Sequence, residues 1–205
     1  MEERRGRPRR EELANRQNAM LDAALDVLTD DGYGGFTVAA VAQRARASKS
    51  TVYSWFENRD GLLRAAVAHH YRPGMFNARA EEDAEPTEAL VGFARTLLRL
   101  VHSRRTLALA RAVMTNPTVQ QTVLAVGGDR GRKQLAGYFQ HLAEEGILTV
   151  DDPLAAATAF YGLAVQDSHT RCLYGEPLMT EAEIDERADF AVNAFLKLFG
   201  RHADE

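Results

Sequence analysis

Apolar residues recur at helical spacing along almost the whole chain. Leu13, Met20, Leu21, Ala24, Leu25 and Leu28 share one stripe. Leu90, Phe93, Ala94, Leu97 and Val101 share another. No stretch alternates apolar and polar residues over the length of a strand, and no segment repeats. A chain patterned in this way buries its side chains by packing helix on helix. The expected fold class is therefore all-α.

Punctuation divides the pattern into about nine helices. The first spans about 11–31, where Asp31-Gly32 ends it, and "GYGGF" is the following turn. Thr37, Ser48 and Asn58 each offer a side-chain oxygen to the first turn of the next three helices. The fourth reaches about Tyr71, before Pro73-Gly74. The acidic "EEDAEPTE" connects to helices over about 86–103 and 104–114, the latter stopping before Asn116-Pro117. A short helix ends at Val126, "GGDRG" is read as a break, and another helix spans about 129–145. Asp152-Pro153 opens one long helix to about Tyr174. Thr180 with Glu183 forms a capping box for the last, which ends near Phe199.

The net charge of −4 is unevenly distributed. Residues 1–72 carry 12 Lys+Arg against 10 Asp+Glu, and residues 73–205 carry 13 against 19. Five arginines crowd "RRGRPRR" at 4–10. One end is suited to a polyanion and the other is not. The expected organisation is a basic arm (1–10), a small helical head (11–57) and a larger helical body (58–205). The N-terminus lacks the apolar core of a secretory signal, and no apolar run is long enough to span a bilayer. The single cysteine, Cys172, excludes an intramolecular disulfide framework. The expected location is the cytoplasm, with no membrane partner.

"TVAAVAQRARASKSTVYSWF" (37–56) contains two short helical patterns and no carboxylate. In the second, Val52 and Phe56 form the inward pair. Lys49 aligns with Tyr53 and Ser50 with Ser54, while Thr51 and Trp55 flank them. A merely solvated face would mix Glu with Lys and would not display Tyr and Trp together. This face donates hydrogen bonds and carries no negative charge, as a helix entering the major groove of DNA requires. Two helices joined by a tight turn, the second one polar and exposed, make a helix-turn-helix. Arg5, Arg7 and Arg9 of the arm suit a narrow minor groove.

The pieces "AALDVLTDDGYGGFTVAAVAQRA" and "SKSTVYSWFENRDGLLRAAV" resemble the N-terminal domain of TetR-family transcriptional regulators. The shared features are a Gly-Tyr turn, Thr opening the second helix, Ser opening the third, and an aromatic pair closing it. "MTNPTVQQTVLAVGGDRGRKQLAGYF" and "DDPLAAATAFYGL" resemble the effector domain of one branch of that family. The resemblance implies that Thr37 contacts phosphate and that Lys49, Ser50 and Ser54 face bases. It further implies that Thr51, Tyr53 and Trp55 touch phosphate or sugar, beside the capping Ser48, and that Arg59 adds a phosphate contact. The family usually places glycine where this chain has Arg46. A positive φ there carries strain of about 1 kcal/mol, with the guanidinium available to a phosphate.

The segment from Leu154 to Val165 is apolar on nearly every side, and the last helix carries two apolar stripes. Helices of this kind need neighbours on more than one side. A second copy of the chain is the simplest supply, through Ile184, Ala188, Ala191, Val192, Phe195 and Phe199. The alternative is that both stripes pack within one chain. In the resembled family the last two helices form the dimer interface, which implies a palindromic operator in double-stranded DNA. An effector cavity is expected among Phe93, Leu97, Val101, Met114, Phe139, Phe160 and Tyr161, with Gln166 and His169 as polar points. The effector is expected to be small and largely apolar.

Little points to catalysis. No H-E-x-x-H, C-x-x-C, G-x-S-x-G or phosphate-binding loop occurs. His169 and Cys172, three residues apart on one helix, are close enough for thiolate activation or metal ligation, and the alternative reading is a buried thiol beside a hydrogen-bonded histidine. No metal or cofactor is expected. The sequence reading is a sequence-specific dimeric DNA-binding regulator, a repressor released by its effector. The alternative is a helical carrier or enzyme with an incidental basic end.

Overall fold

The computed structural model describes residues 10–71, 85–114, 116–126 and 128–201. Arg5, Arg7 and Arg9, Pro73-Gly74 and most of the acidic segment lie outside the described residues. Eleven helices are described: α1 (Arg10–Gly35), α2 (Val38–Arg44), α3 (Lys49–Phe56), α4 (Arg59–His70), α5 (Pro86–Val101), α6 (Arg104–Val113), α7 (Pro117–Val126), α8 (Gly128–Glu144), α9 (Pro153–Val165), α10 (Ser168–Leu173) and α11 (Glu181–Phe199). One isolated bridge pairs Leu148 with Gly200.

The local stops behave as their chemistry requires. Gly32 adopts φ 67° inside α1, so the helix kinks where Asp31-Gly32 predicts an end. Thr37 Oγ1 accepts from the Ala40 amide at 3.1 Å, Ser48 Oγ from Thr51 at 3.1 Å, and Asn58 Oδ1 from Gly61 at 2.8 Å. Thr180 and Glu183 complete the reciprocal capping box. The α2–α3 turn is a Schellman motif, with the Ala47 amide donating to the Ala42 carbonyl and the Arg46 amide to Gln43.

Two cores organise the molecule. One joins α1–α4 to α6 and α7 through Leu25, Leu28, Phe36, Leu62, Val67 and Leu109. Val52 of α3 is buried in it and Phe56 packs against it, so the helix too short to stand alone is held by its inward pair. The other core joins α5, α8, α9 and α11. Its centre is a phenylalanine cluster, with Phe139 stacked on Phe195 at 4.5 Å and Phe160 edge-on to Phe195 at 5.3 Å.

Two expectations are corrected. The long helix from Pro153 to Tyr174 is two helices, α9 and α10, because Gln166 turns the backbone at φ 48°. Arg187 holds that residue by donating to Gln166 Oε1 at 2.7 Å. The break re-aims α10 so that His169 Nδ1 donates to the Val101 carbonyl at 2.8 Å. "GGDRG" is likewise shorter as an interruption than expected, since α8 starts at Gly128.

Candidate nucleic-acid interface and adjoining cavity

The outer side of α3 is open. Lys49, Ser50, Tyr53 and Ser54 are exposed, Tyr53 to 51%, while Thr51 and Trp55 are half-buried. Lys49 makes no ion pair among the described residues. Ser48 Oγ lies 2.8 Å from both Ser50 Oγ and Thr51 Oγ1, and Ser54 Oγ donates to the Thr51 carbonyl at 2.8 Å. The result is a hydroxyl-rich helix start with a free ammonium and a phenol one turn apart. Arg46 is exposed and adopts φ 51°, the left-handed conformation expected for it.

Arg59 differs from its expected role. Its Nε donates to the Phe36 carbonyl at 2.7 Å, Nη2 to the Tyr33 carbonyl at 2.8 Å and Nη1 to the Tyr33 hydroxyl at 3.1 Å. The guanidinium also lies 4.2 Å from the Tyr33 ring centroid. These contacts turn it inward, where it clamps the α1–α2 turn just before Thr37. Asn116 Nδ2 donates to the same Tyr33 hydroxyl, and Asn116 Oδ1 accepts from Val119 in α7. A second bridge joins head and body: Arg105 of α6 donates to Asp22 at 2.9 Å and to Asp26 at 2.8 Å on α1.

Behind these bridges lies a cavity of about 320 Å³. Phe93, Leu97 and Val101 of α5, Ala110 of α6, Met114 just after it, and Ala157 and Tyr161 of α9 supply most of its apolar wall. Tyr71, Thr106, Arg132 and His169 are its polar points. Burial pushes the Tyr71 phenol up to about 12, and also raises that of Tyr161 against the opposing pull of Arg132. Both are neutral hydroxyls at physiological pH.

Residues 88–201 match the family described as "AefR-like transcriptional repressor, C-terminal domain", and residues 20–66 match "Bacterial regulatory proteins, tetR family". The chain belongs to the TetR family of transcriptional regulators. A TetR regulator of known structure from Agrobacterium tumefaciens is 32% identical, with a TM-score of 0.76 over 91% of this chain and 95% of that one. The DNA-binding transcriptional repressor TetR of Mycobacteroides abscessus is 28% identical over 145 residues, 69% of this chain and 67% of that protein. The HTH-type regulator YdeS of Bacillus subtilis is 40% identical over 63 residues, 31% of this chain and 30% of its own length. The chain thus spans less than a third of one curated relative and two thirds of the other. TetR-family proteins are DNA-binding regulators and not enzymes.

Against this TetR-family frame, several expected site residues fall elsewhere. Phe93, Leu97, Val101, Met114, Tyr161 and His169 line the cavity. Phe139 and Phe160 do not, because both are fully buried in the phenylalanine cluster. Gln166 is exposed and paired with Arg187. The stripe expected at a dimer interface is also corrected. Ile184, Ala188, Ala191, Val192 and Phe195 are buried within the chain's own core, and Phe199 stacks on Phe195 at 4.7 Å. The exposed apolar residues of α11 are Phe190 and Leu198 instead. Cys172 donates its thiol to the Pro177 carbonyl at 3.3 Å and burial raises its pKa, while His169 Nδ1 is held by the Val101 carbonyl. Sequence reasoning missed Tyr33, Tyr71, Thr106, Asn116 and Arg132. The prior signals were the Gly-Tyr turn that contains Tyr33 and the place of Asn116 before Pro117, which marks a helix start.

Proposed function

We propose that this chain is a dimeric repressor that reads a palindromic DNA site and lets go when a small molecule occupies the cavity. The observation that carries the reading is the outer face of α3. Lys49, Ser50, Tyr53 and Ser54 stand clear of the chain's own packing on a helix pinned from behind by Val52. Lys49, Ser50 and Ser54 face bases. Thr37, Arg46, Thr51, Tyr53 and Trp55 contact the backbone, and Ser48 holds the start of α3 in shape. Arg5, Arg7 and Arg9 extend the contact into the adjacent minor groove. The repressor descriptions of the matched family and of the Mycobacteroides relative support the direction of regulation.

The two-fold contact uses the outer faces of α9 and α11. Phe190 and Leu198 are exposed to 52% and 67%, and small α9 residues Ala155, Thr158 and Gly162 are exposed as well. Such a pairing sets two α3 helices against successive major grooves about 34–36 Å apart. The effector needs only to favour a head spacing that does not fit the operator.

Selection from a random duplex pool, followed by anisotropy titration, tests the reading. It expects a palindrome, an affinity that falls steeply with salt, and loss of specific binding in Lys49→Ala/Tyr53→Ala with the fold intact. Operator binding by that double variant at parental affinity would overturn the assignment.

A further inference from the structure

Resting on the reading of the cavity as the effector site, we infer that its ligand carries a hydroxyl that donates a hydrogen bond to Nε2 of His169. His169 lines the cavity from α10. Its Nδ1 lies 2.8 Å from the carbonyl of Val101, the last residue of α5. A carbonyl oxygen can only accept, so Nδ1 carries the proton of the neutral ring and Nε2 is left as a lone-pair acceptor. The two ring nitrogens diverge, so Nε2 points away from Val101, and it makes no hydrogen bond among the described residues. No sealed side-chain nitrogen or oxygen among the described residues lacks a partner, so this nitrogen is open to a small molecule.

The other polar points do not choose between ligand chemistries. The Tyr71 phenol bonds to Thr106, whose Oγ1 also meets Ser103 Oγ at 3.0 Å and His70 Nε2 at 2.8 Å. The Tyr161 hydroxyl both donates and accepts, so it tolerates an alcohol and a ketone alike. The Arg132 guanidinium only donates, and the oxygen of either can accept from it. His169 Nε2 does discriminate. A hydroxyl placed there forms the bond, whereas a carbonyl or ether oxygen sets two lone pairs against each other and leaves both unpaired. The apolar wall of Phe93, Leu97 and Ala157 takes the rest of the molecule. A volume of about 320 Å³ suits a body of one aromatic ring or a medium alkyl chain.

Two probes share one carbon skeleton and differ in this respect: 4-phenylbutan-2-ol donates and accepts, and 4-phenylbutan-2-one only accepts. Calorimetry on the full chain, at about pH 8 where an ordinary imidazole is neutral, is expected to give the alcohol at least tenfold tighter binding than the ketone. His169→Asn keeps an amide donor near the Nδ1 position for the Val101 carbonyl and removes the ε nitrogen, so the two probes are expected to bind that variant within threefold of each other. Tyr161→Phe removes the tolerant hydroxyl and is expected to keep the preference for the alcohol. Leu97→Trp fills the cavity and is expected to abolish binding of both. A ketone bound by the parent chain as tightly as the alcohol, a preference unchanged in His169→Asn, or a preference lost in Tyr161→Phe would overturn the donor assignment while leaving the cavity as a ligand site. The parental comparison needs no variant, so it decides the matter even if His169→Asn fails to fold. If neither probe binds, or if binding survives Leu97→Trp, the cavity reading itself fails and the donor assignment with it.

Discussion

Arg46 and Arg59 are both arginines that flank α3, and the structure uses them in opposite ways. Arg46 sits at φ 51° with its head in solvent. A non-glycine residue there carries strain of about 1–2 kcal/mol, which glycine would not. Arg46→Gly should therefore raise stability by up to about 1 kcal/mol in urea titration. It should also weaken duplex binding and reduce the slope of log K against log salt by about 0.9, the share of one phosphate contact. Arg59 is a structural fork with three directed donors and a stacked ring. Arg59→Ala should cost about 2 kcal/mol of stability, and Arg59→Lys should recover little, because an ammonium cannot reproduce the planar fork. A salt slope reduced in Arg59→Ala without a stability loss would return this residue to the phosphate backbone.

At the scale of elements, α11 shows how a helix with two apolar faces divides them. Its inner stripe is covered by α5, α8 and α9, and Phe195 is completely buried. Phe195→Arg should abolish folding, since an unpaired charge would enter the phenylalanine cluster. Phe190→Arg with Leu198→Arg changes only exposed positions. It should leave the helical circular dichroism intact and convert dimer to monomer in sedimentation velocity. The break between α9 and α10 follows the same logic of partners. Nothing in "AVQDSHT" forces a helix to stop, but Arg187 from α11 captures Gln166, and the end of α5 captures His169 and Ser168.

At the scale of the whole molecule, head and body share one core and a set of charged bridges, so the cavity and the α3 face belong to one mechanical unit. The body carries a pH dependence through His102, at the end of α5. Burial lowers the His102 pKa from its ordinary 6.5, with smaller contributions from His169 and Arg187. Its Nδ1 donates to the Leu98 carbonyl at 2.9 Å and Nε2 pairs with Ser168 Oγ at 2.9 Å. The folded chain therefore holds this ring neutral while the unfolded chain protonates it near 6.5. Stability is fully present above that pH and falls as the pH drops below it. Thermal melts across pH 7.5 to 5 should show the fall, and His102→Gln should flatten it.

Helices and caps were legible in the sequence to a degree that side-chain partners were not. Thr37, Ser48, Asn58 and Thr180 all bond as their residue types predict, because each reaches an amide only three residues away. The exposed face of α3 was legible for the same reason: helical spacing alone separates buried Val52 from exposed Lys49, Ser50 and Ser54. The dimer stripe, Phe139, Phe160 and Gln166 were misplaced because apolar periodicity shows that a face is buried without showing what buries it.

What the chain's order of residues settles by itself is local: helix, stop, cap and the carboxylate-free face, all governed by contacts within one helical turn. Only the tertiary structure decides where long polar side chains go and which of two apolar stripes meets the core. Arg59 reaches Tyr33 across 26 residues and Asn116 reaches it across 83. No local pattern encodes such meetings, because they exist only once the packed helices have brought distant turns within hydrogen-bond reach.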